Sequence, residues 1–287
     1  MLSGGRRRDV RSSSRVRKIR CMPVTLPGSN IAGSRVRAYT QGMSRPSPYA
    51  LPFDRYRELL DREYSALSDL VQPTLDRSVP ACPGWNGEDL VRHTAIVFLH
   101  KAETIRTGEK PSHGWPPLSV GSLPPQALLA HCYTRLTEQF DSHEPADRAE
   151  SWVPEDQTVG FWIRRLTLET MIHRFDLEEA AAGPTTPLDP DLALDGIDEV
   201  FFVMFVRGKP DPDASGGTIR LEVGAHSWDV RLDPQRAVVE RDVPAEGQAT
   251  LRAEAQEMLL WLWGRGPQPE GAPDTAVELR KRLARAL

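Results

Sequence analysis

One stretch, residues 162–180, constrains the fold more than any other. It reads W-I-R-R-L-T-L-E-T-M-I-H-R-F-D-L-E-E-A. Steps of three or four residues define one face of an α-helix, with apolar residues at both ends and ionisable residues at its centre. This face comprises Trp162, Leu166, Glu169, His173, Leu177 and Ala180. A carboxylate and an imidazole in a row that should face a core are costly to bury unless a partner satisfies them.

A divalent metal ion is one partner that would satisfy Glu169 and His173. Glu-x-x-x-His places an oxygen and a nitrogen donor on the same side of a helix, as a tetrahedral zinc site requires when one element supplies two ligands. A surface hydrogen bond beside a core stripe is the simpler interpretation, because this spacing also arises by chance. The spacing alone leaves both interpretations open, and a third ligand elsewhere would favour the metal.

His93 is the candidate third ligand. It follows a helix start, where Asn86 is the predicted N-cap and two acidic residues face the positive end of the helix dipole. The helix is predicted over residues 90–107 and ends at Gly108. His93 lies on the apolar face of this helix. A lone histidine there is as often a core residue with its hydrogen bonds satisfied as it is a ligand. His100 follows two turns later, and a core or surface position fits it better than a place lining a cavity.

The first half of the chain predicts a four-helix bundle over residues 52–184, with order beginning near Pro52. The predicted amphipathic helices are Phe53–Val71, closed by Pro73, then Leu90–Thr107, Pro125–Ser142, and a fourth from near Thr158 to Gly183. Facing helices of a bundle can bring ligands together in its middle. His93, Glu169 and His173 would then form a His₂Glu set, which in catalytic zinc sites leaves a fourth position for water or substrate.

After Pro190 the pattern changes from helical to mixed. The predicted elements are a helix over 192–207, strands over 218–223, 227–232 and 237–242, a further short strand at 249–252, and helices over 255–263 and 275–287. Residues 190–287 therefore predict a second, smaller α+β domain with an antiparallel sheet. The predicted fold class is α+β overall.

The first 47 residues differ in composition from the rest. They are rich in arginine, serine, glycine and proline, with Asp9 as their single acidic residue and no apolar periodicity. This composition predicts a disordered basic arm. A start codon assigned too early, with translation beginning at Met43, is our preferred hypothesis; a transit peptide and a nucleic-acid-binding arm are the alternatives. The whole chain has a net charge of −4 although this arm is strongly basic, so the remaining residues are acidic. An acidic body argues against nucleic acid as its partner.

Cysteine usage and hydropathy indicate the compartment. Cys21, Cys82 and Cys132 form no C-x-x-C pair and no disulfide framework, so a reducing cytoplasm is the predicted location. No apolar run approaches the length of a membrane span. The sequence also contains no dinucleotide-binding glycine motif, P-loop or nucleophile elbow. We therefore expect no membrane partner, and a monomer or a weak homodimer.

Three segments together resemble the mycothiol-dependent maleylpyruvate isomerase family. They are C-P-G-W-N-G-E-D-L-V-R-H at 82–93, L-E-T-M-I-H-R-F-D at 168–176, and L-W-G-R at 262–265. The resemblance covers roughly residues 53–287 and implies a DinB-like metal-binding four-helix bundle followed by a smaller C-terminal domain. By this match, His93, Glu169 and His173 are the zinc ligands.

The resemblance implies a zinc-dependent enzyme whose cosubstrate is the small thiol mycothiol. The metal would hold the thiol as a thiolate, which adds to a small electrophile and either leaves again after cis–trans isomerisation or stays in an S-transfer product. The alternative is a non-catalytic metal-binding or small-ligand-binding protein with a structural zinc. A thiol-independent zinc hydrolase and a detoxifying S-transferase are further options. Ni²⁺, Co²⁺ and Fe²⁺ also suit a His₂Glu set.

Two more residues are candidates for catalytic roles. Arg265 follows the L-W-L-W helix and is predicted to reach the cleft from the second domain, where it would bind an anionic substrate; alternatively it offsets the helix dipole. Asp176, three residues beyond the second histidine, is predicted to hold a histidine or an incoming polar group. Its alternative partners are Arg174 and Arg92.

Overall fold

The structure is a computed structural model that describes residues 47–111, 115–117, 120–207, 212–213 and 215–287. The predicted basic arm, except Ser47, lies outside the described residues. The hydroxyl of Ser47 donates a hydrogen bond to Asp195 at 3.1 Å, and the hydroxyl of Tyr49 donates to Asp242 at 2.9 Å. The described chain is thus ordered before Pro52, since these contacts tie its first residues to the C-terminal half.

The N-terminal half is a bundle of four long helices, as predicted. The helices are α1 (Phe53–Asp69), a short α2 (Val71–Thr74), α3 (Gly87–Thr107), α4 (Pro125–Ser142) and α5 (Val159–Ala181). The prediction that one helix continues to Val71 and is closed by Pro73 is wrong. Pro73 lies within the first turn of α2, where its missing N–H removes no intrahelical hydrogen bond.

Local capping signals set the starts of α3 and α5. The side chain of Asn86 accepts a hydrogen bond from the Asp89 amide at 2.9 Å, and the Asp89 carboxylate accepts from the Asn86 amide at 3.1 Å. This reciprocal capping box confirms the predicted start of α3. Thr158 caps α5 by accepting from the Phe161 amide at 3.1 Å. Gly108, with a φ of 77°, ends α3 in the left-handed conformation that favours glycine.

The C-terminal half is α+β. It consists of α6 (Pro190–Glu199), a π-helical turn (Val200–Met204), a 3₁₀ turn (Phe205–Arg207), β1 (Gly217–Val223), β2 (His226–Leu232), β3 (Ala237–Arg241), β4 (Ala249–Arg252), α7 (Ala255–Trp263) and α8 (Asp274–Ala286). The prediction of one helix through Arg207 is therefore wrong beyond Glu199. Val200, Phe201 and Val203 are buried in the π-helical turn, and this packing overrides the periodic pattern.

The sheet has four strands in the order β3-β2-β1-β4. β2 pairs antiparallel with both β1 and β3, as predicted, but β4 pairs parallel with β1, so the sheet is mixed. β3 and β4 lie at opposite edges, so the chain crosses the sheet between them instead of returning through a hairpin. Buried side chains of both halves form one continuous core. Within the described residues, no helix combines the length and hydropathy needed to cross a bilayer.

Candidate metal centre

Three donor side chains converge between α3 and α5. Potential ligand atoms of His93, Glu169 and His173 all lie within 4.8 Å of one another. The Nε2 atom of His93 is 3.7 Å from Oε1 of Glu169, and the Nε2 atom of His173 is 3.8 Å from the same oxygen. Both distances exceed those of hydrogen bonds. Two imidazole nitrogens thus approach one carboxylate oxygen without bonding to it, and the three predicted ligands are brought together.

The three side chains of the site are partly buried. The exposed fractions of the His93, Glu169 and His173 side chains are 21%, 15% and 13%. The two imidazole rings meet edge to face, with centroids 5.5 Å apart. Trp85 is buried at the start of α3, and its ring centroid lies 5.3 Å from that of His93. These contacts restrict the rings of a partly buried site.

Asp176 orients His173. Its Oδ2 atom is 3.1 Å from Nδ1 of His173, and its side chain is fully buried. With Nδ1 engaged by a carboxylate, Nε2 is the nitrogen available to a metal, an arrangement common behind metal-bound histidines. Of the alternatives left open by the sequence, the structure therefore favours the contact with a histidine over pairing with Arg174 or Arg92.

Arg265 reaches this cluster from the C-terminal half. Its Nε and Nη2 atoms each donate to Asp176 at 3.0 Å, and its Nη1 atom donates to the carbonyl oxygen of Trp263 at 2.8 Å. The bond to Trp263 fits the interpretation of Arg265 as a cation at a helix end. The bidentate pair with Asp176 places Arg265 behind His173, where its contacts act on the metal ligands through Asp176.

Arg165 is a member of the site that the sequence analysis did not single out. Its Nη2 atom lies 3.2 Å from Oε2 of Glu169, and its Nη1 atom donates to Glu199 at 2.8 Å. This leaves Oε1 of Glu169 directed at the two histidines. The available signal was the position of Arg165, one turn before Glu169 on the same helix.

The electrostatic field of the cluster favours charged groups despite burial. Burial alone would raise the pKa of Glu169, but Arg165 and the imidazoles of His173 and His93 outweigh it and hold that pKa well below its usual range. Burial would likewise lower the pKa of His173, but Asp176 and Glu169 outweigh it and raise that pKa. Two imidazole nitrogens and a carboxylate oxygen are donors that suit Zn²⁺ or a similar divalent ion.

Comparisons with known proteins agree with this architecture. The family model of the mycothiol maleylpyruvate isomerase N-terminal domain matches residues 56–178, and that of the MDMPI C-terminal domain matches residues 191–285. The fold is similar to the crystal structure of a histidine-to-alanine mutant of the mycothiol-dependent maleylpyruvate isomerase, with 16% identity, a TM-score of 0.52, and coverage of 76% of this chain and 96% of that chain. No curated protein matches the chain. The chain therefore belongs to the mycothiol-dependent maleylpyruvate isomerase family.

Proposed function

We propose that this protein is a zinc-dependent enzyme that activates mycothiol, or a similar small thiol, for isomerisation of an unsaturated organic acid. The observation that carries the proposal is the approach of the His93 and His173 Nε2 atoms to one oxygen of Glu169, at 3.7 and 3.8 Å. A cation bound among these atoms would satisfy all three donors at once. Membership of the maleylpyruvate isomerase family supports the same reaction class.

The side chains around the donors would hold them in place for a metal. Asp176 keeps Nδ1 of His173 engaged, and Arg265 fixes Asp176 by two hydrogen bonds. Arg165 holds the second oxygen of Glu169. Such supporting contacts orient ligands and raise metal affinity. Three protein ligands leave a position for the thiol sulfur.

The metal would supply the positive charge that lowers the pKa of a bound thiol and provides a thiolate at neutral pH. Attack of the sulfur on a conjugated carbon–carbon double bond forms a C–S bond and moves the electron pair into an enolate. Rotation about the resulting single bond followed by cleavage of the C–S bond restores the double bond in the trans geometry and returns the thiolate. In an S-transfer reaction, the enolate would instead take up a proton and the adduct would be released.

The ligand assignment is tested by metal analysis of the purified protein. We expect a stoichiometric amount of bound metal in the wild type and none in Glu169→Ala. The matched control is Glu179→Ala, which makes the same change at an exposed position of α5. This control should retain its metal. Undiminished metal in Glu169→Ala would refute the assignment.

The thiol chemistry is tested after replacing the bound metal by Co²⁺. Coordination of mycothiol sulfur should change the visible absorption of Co²⁺, and maleylpyruvate added with mycothiol should then be isomerised. A spectrum that mycothiol leaves unchanged would favour a structural zinc site. Mycothiol binding followed by a stable conjugate instead of an isomer would favour S-transfer.

A further inference from the structure

Lys101 is a buried cation to which the proposed function gives no role. It lies on α3 two turns after His93 and is 7% exposed. Its Nζ atom lies 4.3 Å from the centroid of the Trp162 ring and 3.2 Å from Nδ1 of His100. Within the part of the chain that the structure describes, no carboxylate oxygen lies within 4.0 Å of this Nζ atom. Glu169 and Glu150 attract its charge from beyond that distance, and its direct contacts are a neutral ring nitrogen and an aromatic face.

The other described lysines differ from Lys101. Lys110 pairs with Glu150 at 3.3 Å, and Lys281 pairs with Glu278 at 3.7 Å, and both lysine side chains are about half exposed. Water can solvate these two ammonium groups, whereas Lys101 has little access to it. The attraction of a cation to an aromatic ring is smaller than the cost of burying an ammonium group. An anionic partner in direct contact would add to the more distant attraction of Glu169 and Glu150.

Lys101 and the metal centre lie along the same pair of helices. His93 approaches Glu169, and further along α3 Lys101 contacts Trp162, which precedes Glu169 on α5, so the two helices run antiparallel. Trp162 and Glu169 are seven residues apart on α5, so at a helical rise of 1.5 Å per residue the two contacts are separated by roughly 11 Å along the helix axis. α3 packs mainly on α4, and α5 packs mainly on α1. Lys101 and the metal centre thus lie at two separate points along the interface between α3 and α5.

The groups beside Lys101 suit a carboxylate. Burial lowers the pKa of Lys101 to about 8, so its side chain still carries a proton at neutral pH. Burial lowers the pKa of His100 to about 4, which keeps that ring neutral. Because Nδ1 of His100 accepts from Lys101, the ring proton lies on Nε2 and is a second donor. The charge of Arg165 is already matched by Glu169 and Glu199.

We propose that Lys101, with His100 and Trp162, forms a carboxylate-binding subsite for the acid substrate. The subsite would hold one carboxylate of a short unsaturated diacid while the reactive double bond lies towards the metal centre. The inference rests on the proposed function and adds a residue that selects an anionic substrate. Neutral electrophiles would gain nothing from this ammonium group.

Titration of the zinc-loaded protein with maleate tests the subsite by calorimetry. Lys101→Met should weaken maleate binding about tenfold or more, because it removes a hydrogen bond to a charged group. Lys101→Arg should retain most of the affinity, and the matched control Lys281→Met should bind like the wild type. Dimethyl maleate, which lacks the charges, should bind all variants equally weakly. Maleate binding by Lys101→Met within twofold of the wild type would overturn the proposal.

A second titration separates Lys101 from the metal, which can itself bind a carboxylate. In a Glu169→Ala background, Lys101→Met should still weaken maleate binding. If metal and thiol binding fail while this dependence on Lys101 persists, the proposed function falls and the subsite stands. If metal and thiol bind but Lys101→Met has no effect on maleate, the subsite falls and the function stands. A purely structural role for Lys101 would shift the melting temperature alone, and that result would also overturn the subsite.

Discussion

Two groups of buried charge lie on opposite faces of α5, and their geometry differs. The open cluster is His93, Glu169 and His173, in which no nitrogen is closer than 3.7 Å to the shared carboxylate oxygen. The closed cluster is Arg174, Glu63 and Glu178. In it, Arg174 donates to Glu63 at 2.8 Å and to Glu178 at 2.6 Å. His173 and Arg174 are adjacent in sequence, yet His173 makes no hydrogen bond to Glu169, whereas Arg174 bonds directly to both of its carboxylate partners.

The chemistry of the donors explains the difference. An arginine keeps its protons and offers donors only, so its carboxylate partners close directly on it. The backbone completes the closed cluster, because the amide of Thr186 donates to Glu178 at 2.9 Å and its carbonyl oxygen accepts from Arg174 at 3.0 Å. Imidazoles can instead offer lone pairs. A buried carboxylate flanked by two of them, beyond hydrogen-bond distance, is arranged for a cation.

Breaking the closed cluster should have the largest effect on stability. Arg174→Met leaves Glu178 without its cation and Glu63 with only the half-exposed Arg62, so we expect the free energy of unfolding to fall by about 3–5 kcal/mol. Denaturant unfolding of the chelator-treated protein at neutral pH measures this loss. Glu169→Gln, an isosteric change in the open cluster, should cost less than half as much. Equal losses would show that the two clusters do not differ in the way proposed.

Changing Asp176, which contacts both His173 and Arg265, should affect metal binding more than folding. Asp176→Asn removes the charge that orients His173 and that Arg265 neutralises, so zinc affinity should fall about 10- to 100-fold, or about 1.4–2.7 kcal/mol. Competition with a chromophoric chelator measures this affinity. Asp141→Asn, the same change at an exposed position of α4, is the control. Wild-type affinity in Asp176→Asn would mean that His173 needs no orientation by Asp176.

Local signals in the sequence were sufficient for the starts of α3 and α5 and for the two ligands on α5. Asn86 and Thr158 cap α3 and α5 through bonds to residues three positions away, and such bonds depend only on nearby sequence. Helical periodicity then places Glu169 and His173 on one face. The predicted bundle made His93 the candidate third ligand, and the resemblance to a known family supported it, because spacing alone cannot show which helices face one another.

Contacts between distant segments could not be predicted in this way. The sequence suggested Arg174 and Arg92 as partners of Asp176, but its arginine partner is Arg265, 89 residues away in the other half of the chain. Lys101 contacts Trp162, which lies 61 residues further along the chain on another helix. The parallel pairing of β4 depends on where the chain crosses the sheet. Each of these features follows from tertiary packing, which periodicity does not encode.

Arg165 links the open cluster to another buried carboxylate, Glu199. Burial raises the pKa of Glu199 to about 7 from an ordinary value of 4.5, although Arg165 and Arg164 oppose the shift. The native state therefore binds this proton more tightly than the unfolded chain does. The contribution of Glu199 to stability is complete below its unfolded pKa and is lost as the pH rises through about 7.

Glu199→Gln should remove this pH dependence, the smallest of the three effects. Glutamine cannot ionise, so the difference in unfolding free energy between variant and wild type should shift in favour of the variant as the pH rises from about 5 to about 8. Denaturant unfolding at several pH values measures the difference, and Glu179→Gln, at an exposed position of α5, is the control. Parallel curves would mean that Arg165 keeps Glu199 ionised throughout. Arg165 and Glu199 would then form a permanent ion pair, and Glu169 would be the only carboxylate partner of Arg165 that could also bind a metal.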